Sequence, residues 1–389
     1  MAVPAVAPTD RVAAARALGA LVEAHRADME RGGALPEALS DAMADAELFQ
    51  LFLPASAGGP EVEPLVAFGV GEALARLDGS VGWCSAISSA ISSYLGWVGD
   101  ATIAEMAGPR PRLRLSGSAR PLGVAVEVEG GYRVRGHWDF ASNVLQSDYY
   151  IGTCVFPDQP YADGRERTRA VVIPVADGRV ERTWSVMGMR GTGSHDFVAE
   201  DVFVPGDRVA SVREKRKRTG RIFHTRLTMV VTWAPTVGVG LGIARGALDD
   251  FAALAERRST ASEIPLRERR EIQLVVGQAE AIVSGARAYV TDAIAQAWAM
   301  AADHDEDSPA LDAVIAQARL AITHAMNEAV RAVDLLFRAS GTNGVFDERR
   351  IERRFRDAHV AVQHAAGVPG HIEAAGRVLL GLPAGVPFF

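Results

Sequence analysis

Two side chains that could carry out proton chemistry stand out in this 389-residue sequence, a serine and a histidine. Ser142 comes two residues after Phe140, and His364 closes a segment that begins with Arg356 and Asp357. A serine hydroxyl can both donate and accept a hydrogen bond, and an imidazole with an ordinary pKa of about 6.5 can be neutral or cationic near neutral pH. Taken alone, such a serine is typical of a strand end and such a histidine of a helix face. Their chemistry therefore depends on the elements that hold them.

The other reactive side chains exclude several kinds of catalyst. Cys84 and Cys154 are too few and too far apart for a disulfide framework or a zinc site, so we expect no metal. Lys215 and Lys217 are the only lysines, which leaves no catalytic Schiff base elsewhere. They belong to a basic stretch, residues 213–221, that is typical of a solvated linker; the alternative is a clamp for an anion or a reductase. No glycine-rich dinucleotide motif follows a strand, so the sequence gives no sign of an NAD(P)H-binding site.

The composition is that of an ordinary globular protein. Apolar residues make up 48% of the chain, so a protein of this length can bury a large core. The net charge of -7 provides no basic field for a nucleic acid backbone, and we expect no nucleic acid partner. We find no export signal and no apolar run of the roughly 18 residues that a membrane span needs. These features predict a cytoplasmic protein without a membrane partner.

The hydrophobic pattern divides the chain into three expected domains. Apolar residues recur every three or four positions through residues 1–110, which predicts helices. The period changes to two in residues 111–212, where alternating valines precede a glycine turn at Gly130, and this predicts a small antiparallel barrel or sandwich. Long helical stripes return in residues 222–389 and predict a bundle. The order predicts an α+β fold that is mostly helical.

Five segments, in this order, resemble signature regions of the acyl-CoA dehydrogenase superfamily. They are an early turn at Leu51–Gly59, the strand that passes the flavin at Gly136–Asp148, a glycine-rich signature at Met187–Pro205, the start of the bundle at Gly240–Arg258, and a C-terminal signature at Gly341–Asp357. The resemblance covers nearly the whole chain. It implies a flavin cofactor, a fold with N-terminal helices, a middle β domain and a C-terminal four-helix bundle, and assembly into a homodimer or homotetramer.

The residues that a dehydrogenase of acyl thioesters needs are missing. Such an enzyme needs a carboxylate base, which the family places either after the arginine of the last signature or early in the bundle. These positions hold Ala365 and Thr232, and no Glu or Asp occurs between Thr225 and Leu248. General-base catalysis contributes about 100- to 10,000-fold. The dehydrogenase interpretation therefore fails unless the base has been relocated.

His364 and Ser142 match instead the two-component, flavin-dependent monooxygenase branch of the superfamily, to which p-hydroxyphenylacetate hydroxylase belongs. The resemblance implies that both residues are catalytic. Ser142 would lie beside the flavin N5, and His364 would supply a proton as the flavin C4a-hydroperoxide forms or take one from a phenol. It also implies O2 as cosubstrate, reduced FMN or FAD from a separate NAD(P)H:flavin reductase, and hydroxylation of an aromatic or polycyclic small molecule. N- or S-oxygenation and a non-catalytic scaffold are the alternatives.

The same resemblance implies further site residues. The expected flavin contacts are Phe140, Ala141 and Ser142 on the strand, Arg257 at the phosphate, and Gly341 and Gly344, where the backbone can approach the cofactor. The expected substrate contacts are Trp83, Tyr94 and His224. The branch often carries a histidine in the third helix, but Val81–Trp97 has none. One of the serines Ser88, Ser89, Ser92 and Ser93 is an expected replacement, and a substrate other than a simple phenol is the alternative.

Overall fold

The structure of the chain, a computed structural model, describes residues 10–108, 112–211, 218–256, 258–259, 262–346 and 350–386. The first helices are α1 (Asp10–Ala17), α2 (Gly19–Gly32), α3 (Glu37–Asp45), α4 (Pro64–Leu77), α5 (Gly79–Ser92) and α6 (Asp100–Ala107). The strands that follow are β1 (Leu115–Val128), β2 (Gly131–Ala141), β3 (Tyr149–Phe156), β4 (Arg167–Pro174), β5 (Arg179–Glu181), β6 (His195–Pro205) and β7 (Val209–Ala210).

Helices return after the strands and form the C-terminal bundle. They are α7 (Thr228–Ala255), α8 (Arg270–Met300), α9 (Ala310–Ala339), α10 (Arg350–Ala361) and α11 (Gly370–Leu379), with a small hairpin of β8 (Arg258–Ser259) and β9 (Ser262–Pro265) between α7 and α8. The predicted order of helices, strands and helical bundle is thus confirmed. The residue bounds of the three domains stay a prediction.

The first seven strands form one sheet in the order β5-β6-β2-β1-β3-β4-β7. The hairpin of β1 and β2 turns at Gly130, whose φ angle is +80°. Neighbouring strands are antiparallel except β1 and β3, which pair in parallel. This pair departs from the predicted antiparallel pairing because the chain crosses to the other side of β1 between β2 and β3. The crossing segment, residues 142–148, begins with Ser142.

The sheet curls around a core of its own. Phe197 of β6 stacks on Tyr150 of β3 with 4.3 Å between ring centroids, although two strands separate β6 from β3 in the sheet. Buried Trp138 of β2 lies 5.5 Å from Tyr150, and a Cβ atom on Gly123 of β1 would lie 2.3 Å from its indole. The strand that leads to Ser142 is therefore fixed by a large indole that needs glycine beside it.

Helix α7 is the central core helix. Within the part of the chain that the structure describes, it belongs to the one segment long and apolar enough to cross a membrane, Thr225–Ala255, but 89% of that apolar window is buried inside the protein. It packs very closely on α4: a Cβ atom on Gly238 would lie 2.3 Å from the Phe68 carbonyl oxygen, and one on Gly242 would lie 2.4 Å from that of Glu72. These glycines let the bundle and the N-terminal helices share one core.

We predict that Gly238→Ala destabilises the protein, because the added methyl group has to displace the α4 backbone. Overpacking of this kind costs about 1–3 kcal/mol, which outweighs the gain in helix propensity of about 1 kcal/mol. The matched control is Gly277→Ala in α8, where nothing lies within 4 Å of the added methyl group. Urea denaturation should show a loss of stability for the first variant and a gain for the second. Equal stability of the two variants would contradict the close packing of α4 on α7.

Candidate active site

Ser142 lies where the chain leaves β2 and enters the crossing segment. Phe140 and Asn143 on either side of it have positive φ angles, +57° and +64°. The Ser142 N–H donates to the Phe140 carbonyl at 2.8 Å, and the Asn143 N–H donates to the Thr192 carbonyl at 2.8 Å. Residues other than glycine rarely adopt this left-handed region, and such conformations cluster at functional sites. The turn therefore holds the Ser142 side chain in a fixed orientation.

The indole of Trp83, from α5, lies between Ser142 and His364. Its Nε1–H donates to Ser142 Oγ at 3.2 Å. Its ring meets the His364 imidazole edge to face, with 5.4 Å between ring centroids. The serine and the histidine come from distant parts of the chain and meet at this one side chain. The sequence predicts Trp83 as a substrate contact but gives no sign of its hydrogen bond to Ser142.

Two further hydroxyl groups lie next to Ser142. Its Oγ is 2.8 Å from Ser194 Oγ, which is 2.7 Å from Thr192 Oγ1. The Thr192 hydroxyl donates to the Met189 carbonyl at 2.8 Å. Ser142, Ser194 and Thr192 are all buried. We call the series formed by Trp83, Ser142, Ser194, Thr192 and the Met189 carbonyl the Ser142 chain. Sequence patterns identify the signature that contains Ser194 and Thr192 but not the hydrogen bonds that they make.

His364 precedes a single turn of 3-10 helix, Ala365–Gly367, and its Nδ1 accepts a hydrogen bond from the Ala366 N–H at 3.2 Å. The proton of the neutral ring is therefore on Nε2. Part of the side chain is accessible, but the imidazole packs against the rings of Trp83 and Trp233. Burial lowers its pKa to about 4, and the nearby His371 acts in the same direction. His364 is thus neutral near neutral pH and offers an N–H donor.

A second layer of side chains supports His364. Trp233 of α7 meets the imidazoles of His364 and His371 edge to face, with centroid distances of 6.2 and 4.9 Å. The buried guanidinium of Arg319, from α9, lies 5.5 Å from the Trp233 ring centroid, and its Nη2 is 2.8 Å from His371 Nδ1. A guanidinium only donates, so His371 accepts; burial and the Arg319 charge both lower the pKa of His371. The wall behind His364 therefore combines neutral imidazoles with one arginine, whose own pKa burial lowers to about 10.

Among the residues described, no carboxylate bonds to Ser142, Trp83 or His364. Their partners are hydroxyl, backbone and aromatic groups. At the two positions where a dehydrogenase holds its base, Ala365 has no acceptor side chain, and the Thr232 hydroxyl donates at 2.7 Å to a carbonyl of its own helix. The structure therefore agrees with the prediction from the sequence that the carboxylate base of a dehydrogenase is missing at these two positions.

Helix α10 ties the turn of His364 to the segment 187–194, which carries part of the Ser142 chain. Buried Asp357 accepts the Met189 N–H at 2.6 Å, and Arg356 donates to the Met187 carbonyl at 2.6 Å. Burial raises the pKa of Asp357 to about 6, while the charge of a neighbouring arginine opposes the shift. The imidazole and the hydroxyl groups are thus held by one continuous set of contacts.

Two other predicted substrate contacts have partners of their own. His224 Nε2 lies 3.4 Å from the His304 carbonyl, in the connection between α8 and α9. Tyr94 is half-buried against the main hydrophobic core. Their roles towards a substrate stay predictions.

The serines of α5 and of the turn after it hold backbone in place. Ser88 donates to the Leu115 carbonyl of β1 at 2.5 Å, and Ser89, Ser92 and Ser93 also donate to backbone carbonyls. Because these hydroxyl protons are committed to the backbone, the structure does not support the expectation that one of the serines replaces a catalytic histidine.

Three predicted flavin contacts are remote in sequence from Ser142. Gly341 follows the end of α9 with a φ angle of +55° and nothing within 4 Å of the place where a Cβ atom would be. Gly344 is buried in the turn that follows. Arg257 lies outside the described residues. Their contacts with the cofactor stay predictions.

The surroundings of Ser142 fit a flavin ring. Phe140 is 60% exposed, and its ring meets Trp184 edge to face at 6.1 Å. The Asn143 carboxamide is buried, and neither its oxygen nor its nitrogen has a hydrogen-bond partner among the residues that the structure describes. An exposed aromatic face and an unsatisfied polar group beside a buried hydroxyl suit an isoalloxazine, which has a flat ring and a polar edge.

Comparison with known proteins decides the family. The models for the acyl-CoA dehydrogenase N-terminal domain and the acyl-CoA dehydrogenase C-terminal domain match residues 11–105 and 235–369. The flavin-dependent monooxygenase, oxygenase subunit HsaA, of Mycobacterium tuberculosis is 29% identical over 365 residues, 90% of each chain. The indole-3-acetate monooxygenase of Pseudomonas putida is 30% identical over 365 residues, 92% of each chain. This chain is a flavin-dependent monooxygenase of the acyl-CoA dehydrogenase superfamily.

The monooxygenase is also similar to a structure solved with a flavin. XiaF from Streptomyces sp., in complex with FADH2 and glycerol, matches with a TM-score of 0.86 and 25% identity over 98% of this chain and 97% of that chain. The fold and the flavin dependence that the sequence predicts are therefore confirmed.

We predict that His364 of this monooxygenase stays neutral down to about pH 5, well below the ordinary imidazole pKa of about 6.5. Its pKa is lower in the folded state than in the unfolded chain, so the neutral ring stabilises the fold above pH 6.5 or so, and this contribution is lost as the pH falls towards 4. NMR of 15N-labelled histidines should show an Nε2–H ring that does not titrate in this range. His364→Gln, which removes the signal, assigns it. A His364 signal that titrates near pH 6.5 would contradict the packing of the imidazole against Trp83 and Trp233.

Proposed function

We propose that this monooxygenase inserts one atom of O2 into an aromatic or polycyclic small molecule, using reduced FMN or FAD from a separate NAD(P)H:flavin reductase. The pairing of Ser142 and His364 across Trp83, with no carboxylate bonded to them among the described residues, carries the proposal. The reduced flavin supplies the electrons that activate O2, through a C4a-hydroperoxide. The names of two relatives, an oxygenase subunit and an indole-3-acetate monooxygenase, support a separate reductase and an aromatic substrate.

The two catalytic candidates have different tasks in this proposal. Ser142 holds a hydrogen bond at the flavin N5. His364, neutral and protonated on Nε2, donates a hydrogen bond to an oxygen atom of the substrate or of the activated dioxygen. Proton supply by an imidazolium, one of the two roles that the resemblance implies, disagrees with a pKa of about 4. Uptake of a phenol proton would have to occur at Nδ1, which already accepts the Ala366 N–H.

The side chains around His364 favour an aromatic substrate. Trp83 and Trp233 both meet its imidazole edge to face, and edge-to-face or offset aromatic pairs add about 0.5–1.5 kcal/mol beyond the burial of their surface. Arg319 behind Trp233 places a positive charge near this wall, which favours an electron-rich ring. N- or S-oxygenation uses the same arrangement of Ser142 and His364 and stays an alternative, whereas a dehydrogenase with a relocated base finds no carboxylate bonded at the described site.

The proposed enzyme is a homodimer or homotetramer. Helix α11 and the residues after it expose apolar side chains, namely Ile372, Leu379, Leu380 and Leu382, and Leu380 is 80% exposed. Val345 and Phe346, next to Gly344, are also exposed. Exposed apolar surface of this kind marks protein interfaces. The resemblance places the segment of Gly341 and Gly344 at a subunit boundary, which supports a role for these glycines at the flavin of a neighbouring copy.

We predict that Ser142→Ala and His364→Ala both uncouple flavin oxidation from hydroxylation. In stopped-flow mixing of the anaerobic protein and pre-reduced flavin with O2, the wild type should show an oxygenated flavin that persists for seconds. Ser142→Ala should shorten this lifetime, and His364→Ala should lower the yield of hydroxylated product, each by about 10- to 100-fold. The matched control is Ser147→Ala, which removes a hydroxyl of the same crossing segment that donates to the Asn143 carbonyl.

Two results would contradict the proposed function. One is immediate return of oxidised flavin in the wild type together with bleaching of oxidised flavin by an acyl-CoA under nitrogen, which indicates a dehydrogenase. The other is unchanged coupling in both variants, which removes the assigned roles of Ser142 and His364.

We predict that the double substitution Leu379→Glu and Leu380→Glu dissociates the oligomer, because it places two carboxylates in an apolar interface. Light scattering after gel filtration should show a dimer or tetramer for the wild type and a smaller species for the variant. Glu373→Gln, on the same helix, is the control and should leave the assembly unchanged. A monomeric wild type would contradict the proposed assembly.

A further inference from the structure

The turn that follows His364 sets the direction of its imidazole. The Gly367 N–H donates to the His364 carbonyl at 2.8 Å, and the Ala366 N–H donates to His364 Nδ1 at 3.2 Å. The chain is tightly folded here, since a Cβ atom on Gly367 would lie 2.1 Å from the Val362 carbonyl oxygen. The orientation of the imidazole therefore depends on what holds this turn in place.

Helix α9 holds the turn from one side through Asn327. The Asn327 amide donates to the Gly367 carbonyl at 3.0 Å and to the Thr323 carbonyl of its own helix at 2.8 Å. With both bonds made, the amide nitrogen is fixed between the helix and the turn. The last residue of the turn is thus tied to α9 by a side chain.

Arg319 lies on the same face of α9, two turns before Asn327, because helix residues four apart are neighbours. Its Nη2 donates to Nδ1 of His371 at 2.8 Å. The His371 N–H in turn donates at 3.2 Å to the carbonyl of Val368, the residue that ends the turn. A buried guanidinium requires hydrogen-bond acceptors, so Arg319 orients the ring of His371 and with it the start of α11.

The oriented ring of His371 reaches His364 through Trp233. The indole meets the His371 ring at 4.9 Å and the His364 ring at 6.2 Å, both edge to face, and Arg319 lies over its face at 5.5 Å. Arg319 and His371 therefore hold the aromatic wall against which the His364 imidazole packs. We call Arg319, His371 and Asn327 the His364 clamp.

We infer that the three residues of the His364 clamp are positioning residues, which fix one orientation and one tautomer of the His364 imidazole for the reaction. The inference rests on the proposed function, in which His364 donates a hydrogen bond from Nε2. If the turn moved, Nδ1 would lose the Ala366 N–H, and the proton could then sit on either nitrogen. Without the clamp, the imidazole would therefore present an N–H to the reacting oxygen only part of the time.

The clamp acts on one half of the proposed site. The described contacts of its residues lead to His364 and its turn, whereas Ser142 is held by the Ser142 chain. Loss of the clamp should therefore lower the yield of hydroxylated product and leave the lifetime of the oxygenated flavin nearly unchanged. General loss of structure would lower both.

His371→Phe and His371→Asn form the test pair. Phenylalanine keeps a ring against Trp233 but gives Arg319 no acceptor, whereas asparagine places an amide oxygen near the position of Nδ1. With phenol and indole as probe substrates, His371→Phe should lower the product formed per flavin oxidised by roughly three- to tenfold. His371→Asn should restore most of this yield. The control is His324→Phe, on a part of α9 that contacts Tyr289 of α8.

A second readout needs no turnover. NMR of 15N-labelled histidines near neutral pH reports the tautomer of His364 directly. The wild type and His371→Asn should show a single Nε2–H ring. His371→Phe and Asn327→Leu should show a mixture of the two tautomers. Asn327 is exposed on α9, so its substitution tests the clamp even if His371→Phe does not fold.

The outcomes separate the inference from the proposed function. A single Nε2–H tautomer and an unchanged product yield in His371→Phe and Asn327→Leu overturn the inference while the proposed function stands. An equal loss of product yield and flavin-adduct lifetime in His371→Phe and His371→Asn also overturns it, because such a loss indicates a general structural role. A wild type that forms no oxygenated flavin overturns the proposed function, and the tautomer signals then still decide whether the clamp holds His364.

Discussion

The hydrogen bond from the Trp83 indole to Ser142, made while the same indole packs against His364, is the contact on which the site depends. It joins the N-terminal helices, the sheet and the bundle at a single side chain. A neutral hydrogen bond contributes only about 1 kcal/mol net, so this contact cannot by itself hold three parts of the chain together. The rest of the structure has to bring the indole, the hydroxyl and the imidazole to the same place.

Helix α10 helps to bring these three groups together through its buried charged side chains. Arg353 lies 2.7 Å from Asp78, whose carboxylate also accepts the Ser80 N–H and so begins α5, the helix of Trp83. Arg354 donates to the carbonyls at the end of α4 and to Asp250 of α7. Removing one partner of a buried ion pair typically costs about 3–5 kcal/mol. One helix thus orients α5, fixes the end of α4 against α7, and holds the segment 187–194 through Asp357, and this helix ends three residues before His364.

The order of helices, sheet and bundle could be predicted from the sequence because hydrophobic period and signature segments are local properties. Ser142 and His364 could be identified as candidate site residues for the same reason, since each stands at a recognisable position of a motif. The parallel pairing of β1 and β3 could not be predicted, because alternation of apolar residues gives the face of a strand and not its neighbour. The hydrogen bonds of the Ser142 chain could not be predicted either, because its members come from α5, from the crossing segment and from the segment 187–194.

Arg319 is a residue that the sequence could have indicated. It lies between Ile315 and Ile322 on the apolar stripe of α9. A charged side chain is almost never fully buried at such a position unless it is paired. His371, its partner, carries no such sign, because α11 is short and exposes part of its surface. Together they place a cation behind neutral rings. Burial, with a contribution from His371, lowers the pKa of His364 to about 4 and leaves it a donor and not an acid, a property of the tertiary structure that no linear pattern contains.

An anaerobic crystal structure of the protein with reduced flavin would show whether Ser142 and His364 face the same flavin from the two sides of Trp83. We expect N5 within about 3.2 Å of Ser142 Oγ, the ring in contact with Phe140, and the His364 imidazole in the same cleft. A flavin whose N5 faces another group, or a carboxylate of the chain that reaches the reacting face in place of the imidazole, would overturn the proposed roles of Ser142 and His364.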